Sequence, residues 1–121
     1  MARILIIEDN AANLKLFTFL LKNAGHEVLS ATEAATGLAL ARNELPELIL
    51  MDVQLPGMDG LEATRLLKHD AVTSHIKVVV VTAFAMKGDE ARMLAAGCDG
   101  YVAKPIHYAD FLGKVNAALG L

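Results

Sequence analysis

The chain has 121 residues, which is about the length of one domain. Its net charge of -3 and its lack of any long lysine or arginine run argue against nucleic acids and anionic membranes as main partners, because both require a basic surface. Apolar residues make up 55% of the chain and aromatic residues only 5%, which is typical of an aliphatic α/β core. No stretch approaches the roughly 18 apolar residues of a membrane span, and no signal-peptide core is present, so we expect a cytoplasmic protein.

Short apolar runs alternate five times with helical patterns, which predicts a parallel sheet with crossover helices. The predicted strands span residues 3–7, 26–31, 48–52, 77–82 and 100–103. The predicted helices follow them over about 10–24, 32–43, 59–69, 87–96 and 108–119, with Asn10 and Asp59 as N-caps of the first and third. We expect the partly polar second strand at an edge and the valine-rich fourth strand inside the sheet.

Right-handed crossovers between these strands imply a flavodoxin-like (βα)5 fold, with strand order 2-1-3-4-5 and helices on both faces. We expect residues 1–121 to form one such domain. In this strand order the direction of winding reverses between the first and third strands, which opens a crevice at their carboxyl ends. Glu8, Asp9 and Asp52 stand at those ends.

Three carboxylates at one crevice repel one another, and a divalent cation with oxygen ligands is the simplest way to hold them together. Mg²⁺ is the expected ion, because it uses few carboxylates and leaves room for a phosphoryl group. A carboxylate can itself become phosphorylated, and Asp52, on the most buried predicted strand, is the best candidate. Thr82 and Lys104 end the fourth and fifth strands with a hydroxyl and an ammonium group that suit phosphoryl oxygens.

Taken together, these strand ends resemble the signature of two-component response regulator receiver domains, over the whole chain. The matching segments are Glu8-Asp9, Met51-Asp52, Pro56-Gly57-Met58-Asp59-Gly60, Val81-Thr82-Ala83 and Lys104-Pro105. Two further segments, over residues 8–16 and 82–90, are similar to stand-alone receivers that control cell division or polarity.

The resemblance implies that Asp52 accepts a phosphoryl group from a histidine kinase or a histidine phosphotransfer protein. It also implies that Mg²⁺, or Mn²⁺ in its place, is held by Asp9, Asp52 and the backbone carbonyl of Gln54, with Glu8 contributing through water. Phosphorylation and slow dephosphorylation would be magnesium-dependent self-reactions, so we do not expect an enzyme that acts on other substrates.

The switch that the resemblance implies involves the other strand ends. Thr82 and Lys104 would hydrogen-bond the phosphoryl oxygens, and Lys104-Pro105 would be a cis peptide. Thr82 would move inward and Tyr101 would turn in after it, which changes the face made by the fourth helix, fifth strand and fifth helix. A downstream protein would bind that face, since no output domain is expected. Without the resemblance, Tyr101 is interpreted as a half-buried strand aromatic.

Three alternatives stay open at this point. The first is a receiver-like module that binds proteins without being phosphorylated, although every acidic, hydroxyl and lysine position is retained. The second is an aspartyl phosphohydrolase, which usually places a second acid where this chain has Gln54. The third is a flavodoxin-like cofactor binder, which would need a phosphate-cradling loop where Glu8 and Asp9 stand.

The histidines and the lone cysteine have simpler interpretations. We expect His26, His69 and His75 to be solvated residues near turns, and His107 to start the last helix. Cys98 cannot form an internal disulfide and is expected to be a small buried residue.

Overall fold

The structure, a computed structural model, describes residues 2–83 and 87–121. Residues 84–86, which belong to the segment similar to cell-division receivers, lie outside the described residues. The described part contains the strands β1 (Arg3–Ile7), β2 (Glu27–Ala31), β3 (Leu48–Asp52), β4 (Lys77–Thr82) and β5 (Gly100–Ala103). Between and after them lie the helices α1 (Ala11–Asn23), α2 (Ala34–Glu44), α3 (Gly60–His69), α4 (Lys87–Ala96) and α5 (Tyr108–Leu119).

The strands pair in parallel in the order β2-β1-β3-β4-β5, which confirms the predicted flavodoxin-like fold. β2 lies at an edge and β4 lies inside the sheet, as predicted. The middle strand is β3, and all of its residues are buried. None of the described helices combines the length and the apolar character that crossing a membrane requires.

Two buried clusters cover the faces of the sheet, because successive residues of a strand point to opposite sides. On one side, Leu5, Ile49 and Val80 pack with apolar residues of α2, α3 and α4. On the other side, the sheet packs against α1 and α5, where the rings of Phe17 and Phe111 stack with their centroids 5.3 Å apart. Since both faces are covered, polar groups that serve a ligand have to lie at the strand ends.

The two predicted N-caps form as expected. The Asn10 side chain accepts a hydrogen bond from the backbone N–H of Asn13 at 2.9 Å, which ends the loop after β1 and begins α1. The Asp59 carboxylate accepts one from the N–H of Leu61 at 2.6 Å and begins α3. These caps satisfy N–H groups that have no partner within the helix.

One histidine prediction is wrong. His26 is buried, and its Nδ1 accepts a hydrogen bond from the backbone N–H of Ala2 at 3.1 Å. That N–H lies just before β1 and is itself buried, so it requires an acceptor that water cannot supply. His69 and His75 are exposed as predicted, and His107 is the N-cap residue of α5.

Candidate functional site

Three carboxylates meet at the carboxyl ends of β1 and β3. Among the described residues, Glu8, Asp9 and Asp52 each offer an oxygen that lies within 4.8 Å of the other two. The register explains the approach, because Ile7 of β1 pairs with Met51 of β3 and the next residue of each strand is acidic. The structure therefore brings together the three acids that the strand order predicts.

The cluster is partly buried and carries more negative charge than its surroundings balance. Asp52 and Glu8 are buried, while Asp9 is exposed. Burial is the main cause that raises the pKa of Glu8 to about 8, and a hydrogen bond to Asp52 and its charge add to the rise. The N–H of Asn10, 3.3 Å from Glu8 Oε2, and the Lys104 ammonium act in the opposite direction.

The second oxygen of Glu8 differs from the first, which accepts the N–H of Asn10. Glu8 Oε1 is buried and accepts no hydrogen bond from the described part of the chain. An unsatisfied buried oxygen beside two other carboxylates is the donor set that a hard divalent cation takes, so these residues fit Mg²⁺.

Among the described residues, Lys104 is the basic group that pairs with Asp52. Its Nζ lies 3.7 Å from Asp52 Oδ1, and its backbone N–H donates to the carbonyl of Thr82 at 2.8 Å. Thr82 is buried at the end of β4, where it pairs with Ala103. The Lys104–Pro105 peptide bond is cis, as the resemblance implied. The ends of β4 and β5 thus place a hydroxyl and an ammonium group at the same edge as the acids.

The turn after β3 folds back over Asp52. The N–H of Gln54 donates to Asp52 Oδ1 at 3.1 Å, which holds the carboxylate in place. Gly60 begins α3 in direct contact with the strand, because a Cβ atom there would lie 2.1 Å from the carbonyl oxygen of Asp52. Gly57 has a positive φ of 80°, which suits the turn. The sequence interpretation gave Gly60 no separate role, although a glycine at the first position of a helix was a signal of close approach.

A cleft of about 670 Å³ opens beside the acids. Its lining includes Asp9, Gln54, Thr82 and the exposed Arg92 of α4, whose guanidinium lies 3.5 Å from Asp89. Arg92 was not recognised from the sequence, because helical periodicity alone cannot tell which exposed residue of α4 borders a loop from β3.

Tyr101 lies away from this cleft, on the face made by α4, β5 and α5. Its hydroxyl donates to Glu90 Oε1 at 3.0 Å, and Lys114 Nζ lies 5.5 Å from the centroid of its ring. The same face exposes Leu94. Cys98, also on this face, is half-buried rather than fully buried, and burial raises the pKa of its thiol to about 11.

The sequence is closely similar to curated response regulators. Residues 4–116 match the family of response regulator receiver domains. The polar-differentiation response regulator DivK of Brucella ovis is 46% identical over 117 residues, which cover 97% of this chain and 95% of that protein. DivK of Brucella suis biovar 1 matches with the same identity and coverage.

Solved receiver structures share the fold closely. A CheY-like receiver domain protein from Methanospirillum hungatei is 34% identical, covers 99% of this chain and 94% of its own, and has a TM-score of 0.90. The receiver domain of a sensor histidine kinase from Pseudomonas aeruginosa is 29% identical, covers 99% and 98%, and has the same TM-score. That structure is described with a magnesium ion coordinated in its active-site cleft. This chain belongs to the family of response regulator receiver domains.

Proposed function

We propose that this receiver works in a two-component phosphorelay, in which Asp52 accepts a phosphoryl group from a histidine kinase or a histidine phosphotransfer protein. The observation that carries the proposal is the buried Asp52 carboxylate, 3.7 Å from the Lys104 ammonium and within 4.8 Å of two further acids. Membership of the receiver family and the 46% identity to DivK support it. By the same similarity, the cellular role is control of cell division or polarity.

The transfer needs little from the protein beyond position and charge. An oxygen of Asp52 forms a bond to phosphorus while the phosphorus–nitrogen bond of the donor histidine breaks. The N–H of Gln54 holds the carboxylate at 3.1 Å, and the Lys104 ammonium stabilises the negative charge that arrives. Hydrolysis of the product by water would be a slow self-reaction, so the chain is not an enzyme for other substrates.

We expect Mg²⁺, or Mn²⁺ in its place, to be held by Asp9, Asp52 and the Gln54 carbonyl, with Glu8 acting through water. When bound, the ion neutralises carboxylate charge and stabilises the phosphoryl oxygens. The buried, unpartnered Glu8 Oε1 supports this assignment. The receiver domain from Pseudomonas aeruginosa, which is described with magnesium in its active-site cleft, supports it as well.

Phosphorylation adds about 1.5 to 2 negative charges at Asp52. Thr82 and Lys104 are the groups placed to hydrogen-bond the new oxygens, and a charge-assisted hydrogen bond would draw the Thr82 hydroxyl toward Asp52. Tyr101 then turns into the space that Thr82 leaves. The face of α4, β5 and α5 changes shape, and a downstream protein reads that change.

Acetyl phosphate with Mg²⁺ tests the acceptor. Intact-mass measurement is expected to show the addition of one phosphoryl group to the wild-type chain and none to Asp52→Asn. Asp59→Asn is the matched control, because it changes an acid of the same loop while asparagine still caps α3, and it should be labelled like the wild type. Labelling that persists in Asp52→Asn would rule out the assignment.

The switch is tested by binding. Calorimetry with a purified histidine kinase or phosphotransfer protein should give different affinities for the phosphorylated and unmodified receiver. Equal affinities would favour a module that binds proteins independently of phosphorylation.

A further inference from the structure

Tyr101 and Thr82 lie on the same side of the sheet. Tyr101 pairs with Val80 of β4, and Thr82 is two residues further along that strand, so both side chains point toward the cluster covered by α2, α3 and α4. Tyr101 packs at the margin of this cluster, where Met93 of α4 is buried. A shift of Thr82 therefore changes the space into which the Tyr101 ring can turn.

In this structure the Tyr101 ring is held at the surface by two charged residues from different helices. Glu90 of α4 accepts the hydrogen bond of the hydroxyl at 3.0 Å, and Lys114 of α5 lies over the ring at 5.5 Å from its centroid. Among the residues whose side chains are described, the charged groups that face Tyr101 are these two and Asp110 of α5. The hydrogen bond to Glu90 is the main cause that raises the pKa of the Tyr101 hydroxyl, and the Asp110 charge adds to it.

Both contacts exist only while the ring points outward. If the ring turned toward Thr82, its hydroxyl would leave the Glu90 carboxylate and its face would leave the Lys114 ammonium. Glu90 and Lys114 therefore stabilise the outward arrangement and not the inward one, and a contact made in only one state shifts the equilibrium between them.

We propose that Glu90, assisted by Lys114, is a positioning residue that holds Tyr101 outward and thereby sets how readily the receiver enters its phosphorylated conformation. The proposal rests on the proposed function, because it assumes that Asp52 is the acceptor. In the described part of the chain, the side-chain hydrogen bond of Glu90 is the one to Tyr101, so we assign its effect to Tyr101. By linkage, weakening the contact should tighten binding of a phosphoryl mimic at Asp52 to the same degree that it destabilises the outward ring.

The test measures the affinity for beryllofluoride, a phosphoryl mimic, in the presence of Mg²⁺. Glu90→Ala removes the acceptor from an exposed helical position that alanine suits. Because exposed charged contacts are weak, we expect the affinity to rise by about two- to fivefold. Tyr101→Phe, which removes the hydroxyl and keeps the ring, should tighten binding similarly. In the double variant Glu90→Ala with Tyr101→Phe, the loss of Glu90 should add little to the affinity, since the hydroxyl that it binds is already removed.

A spectroscopic measurement separates positioning from a structural effect. In chains labelled with 3-fluorotyrosine, the signal of Tyr101 is assigned by comparison with Tyr108→Phe. Glu90→Ala should move this signal, without any ligand, part of the way toward its position in the beryllofluoride complex. Glu44→Ala, which removes an exposed acid at the far end of α2, should change neither the signal nor the affinity.

The outcomes separate the two proposals. A wild-type chain that does not bind beryllofluoride with Mg²⁺ overturns the proposed function, and the role of Glu90 with it. A wild-type chain that binds, with unchanged or weaker affinity in Glu90→Ala, overturns the role of Glu90 alone. The same conclusion follows if Glu90→Ala tightens binding equally in the Tyr101→Phe background.

Discussion

The two ends of the parallel strands differ in how their charged residues are paired. The amino ends of the strands form what we call the amino edge of the sheet, and their carboxyl ends form the carboxyl edge. At the amino edge, Lys68 donates to the carbonyl of Ile76 at 2.7 Å and to Asp99 Oδ2 at 2.9 Å, and the same oxygen accepts from the N–H of Val78 at 2.8 Å. At the carboxyl edge, the acids lie together and Glu8 Oε1 accepts no hydrogen bond from the described residues. The polar groups named at the amino edge find their partners within the fold, whereas Glu8 Oε1 at the carboxyl edge finds none among the described residues.

The largest expected effect of a substitution concerns the backbone of the carboxyl edge. Gly60→Ala would place a Cβ 2.1 Å from the carbonyl oxygen of Asp52, and backbone cannot yield as a flexible side chain does. We expect the free energy of unfolding to fall by about 3 kcal/mol in urea titrations. Gly113→Ala is the control, because open space surrounds that helical position, and it should gain about 0.5 to 1 kcal/mol. Equal effects would mean that α3 does not press on β3.

The second prediction concerns how the free energy of unfolding depends on pH, because the acids of the carboxyl edge include one with a raised pKa. Because the pKa of Glu8 is raised from 4.5 to about 8, the folded state binds a proton more tightly than the unfolded chain. Without metal, the free energy of unfolding should therefore be highest at the acidic end of this interval and fall as pH rises through it, by at most about 1.4 kcal/mol per pH unit. Urea titrations in a chelator at several pH values measure it.

The matched variant for the pH prediction is Glu8→Gln. Glutamine keeps the size of the side chain and removes its titration, so the slope between 4.5 and about 8 should flatten. A slope that is as steep in Glu8→Gln as in the wild type would show that other groups cause it. A stability that rises with pH in this interval would contradict the account of the acids.

The third prediction concerns the ion pair of the amino edge. Lys68→Met keeps the apolar part of the side chain but leaves the half-buried Asp99 without its ammonium partner, so we expect a loss of about 2 kcal/mol in the free energy of unfolding. Lys77→Met changes an exposed lysine at the start of β4 and should have little effect. If Lys68→Met were neutral, the amino edge would not depend on its own ion pair.

Much of the fold could be predicted from the sequence, because its local signals agree with one another. The limits of β4 and α5 were predicted correctly, since a valine run and a helical pattern each end at a clear boundary. β2 begins one residue later than predicted, at Glu27, because the backbone N–H of His26 still donates to the carbonyl of Leu21 in α1. The side chain of His26, in turn, accepts a hydrogen bond from the N–H of Ala2. That contact joins residues 24 apart, which no local pattern reveals.

The candidate site could likewise be predicted only in part. Convergence of Glu8, Asp9 and Asp52 followed from the strand order alone, since parallel strands deliver their carboxyl ends to one edge. Two other contacts could not be predicted from the strand order, because they depend on how a helix packs against a particular strand. They are the contact of Gly60 with Asp52 and the hydrogen bond of Tyr101 with Glu90. Tertiary distances of this kind have no signature in composition or periodicity.

The central prediction is that the three acids at the carboxyl edge, where Glu8 Oε1 has no partner among the described residues, bind a divalent cation. The most direct measurement is the unfolding temperature of the wild type and of Asp52→Asn as Mg²⁺ is added. A ligand that binds only the folded state raises this temperature with its concentration, so the wild type should rise and Asp52→Asn should rise far less. No rise in the wild type, or an equal rise in both chains, would contradict the claim.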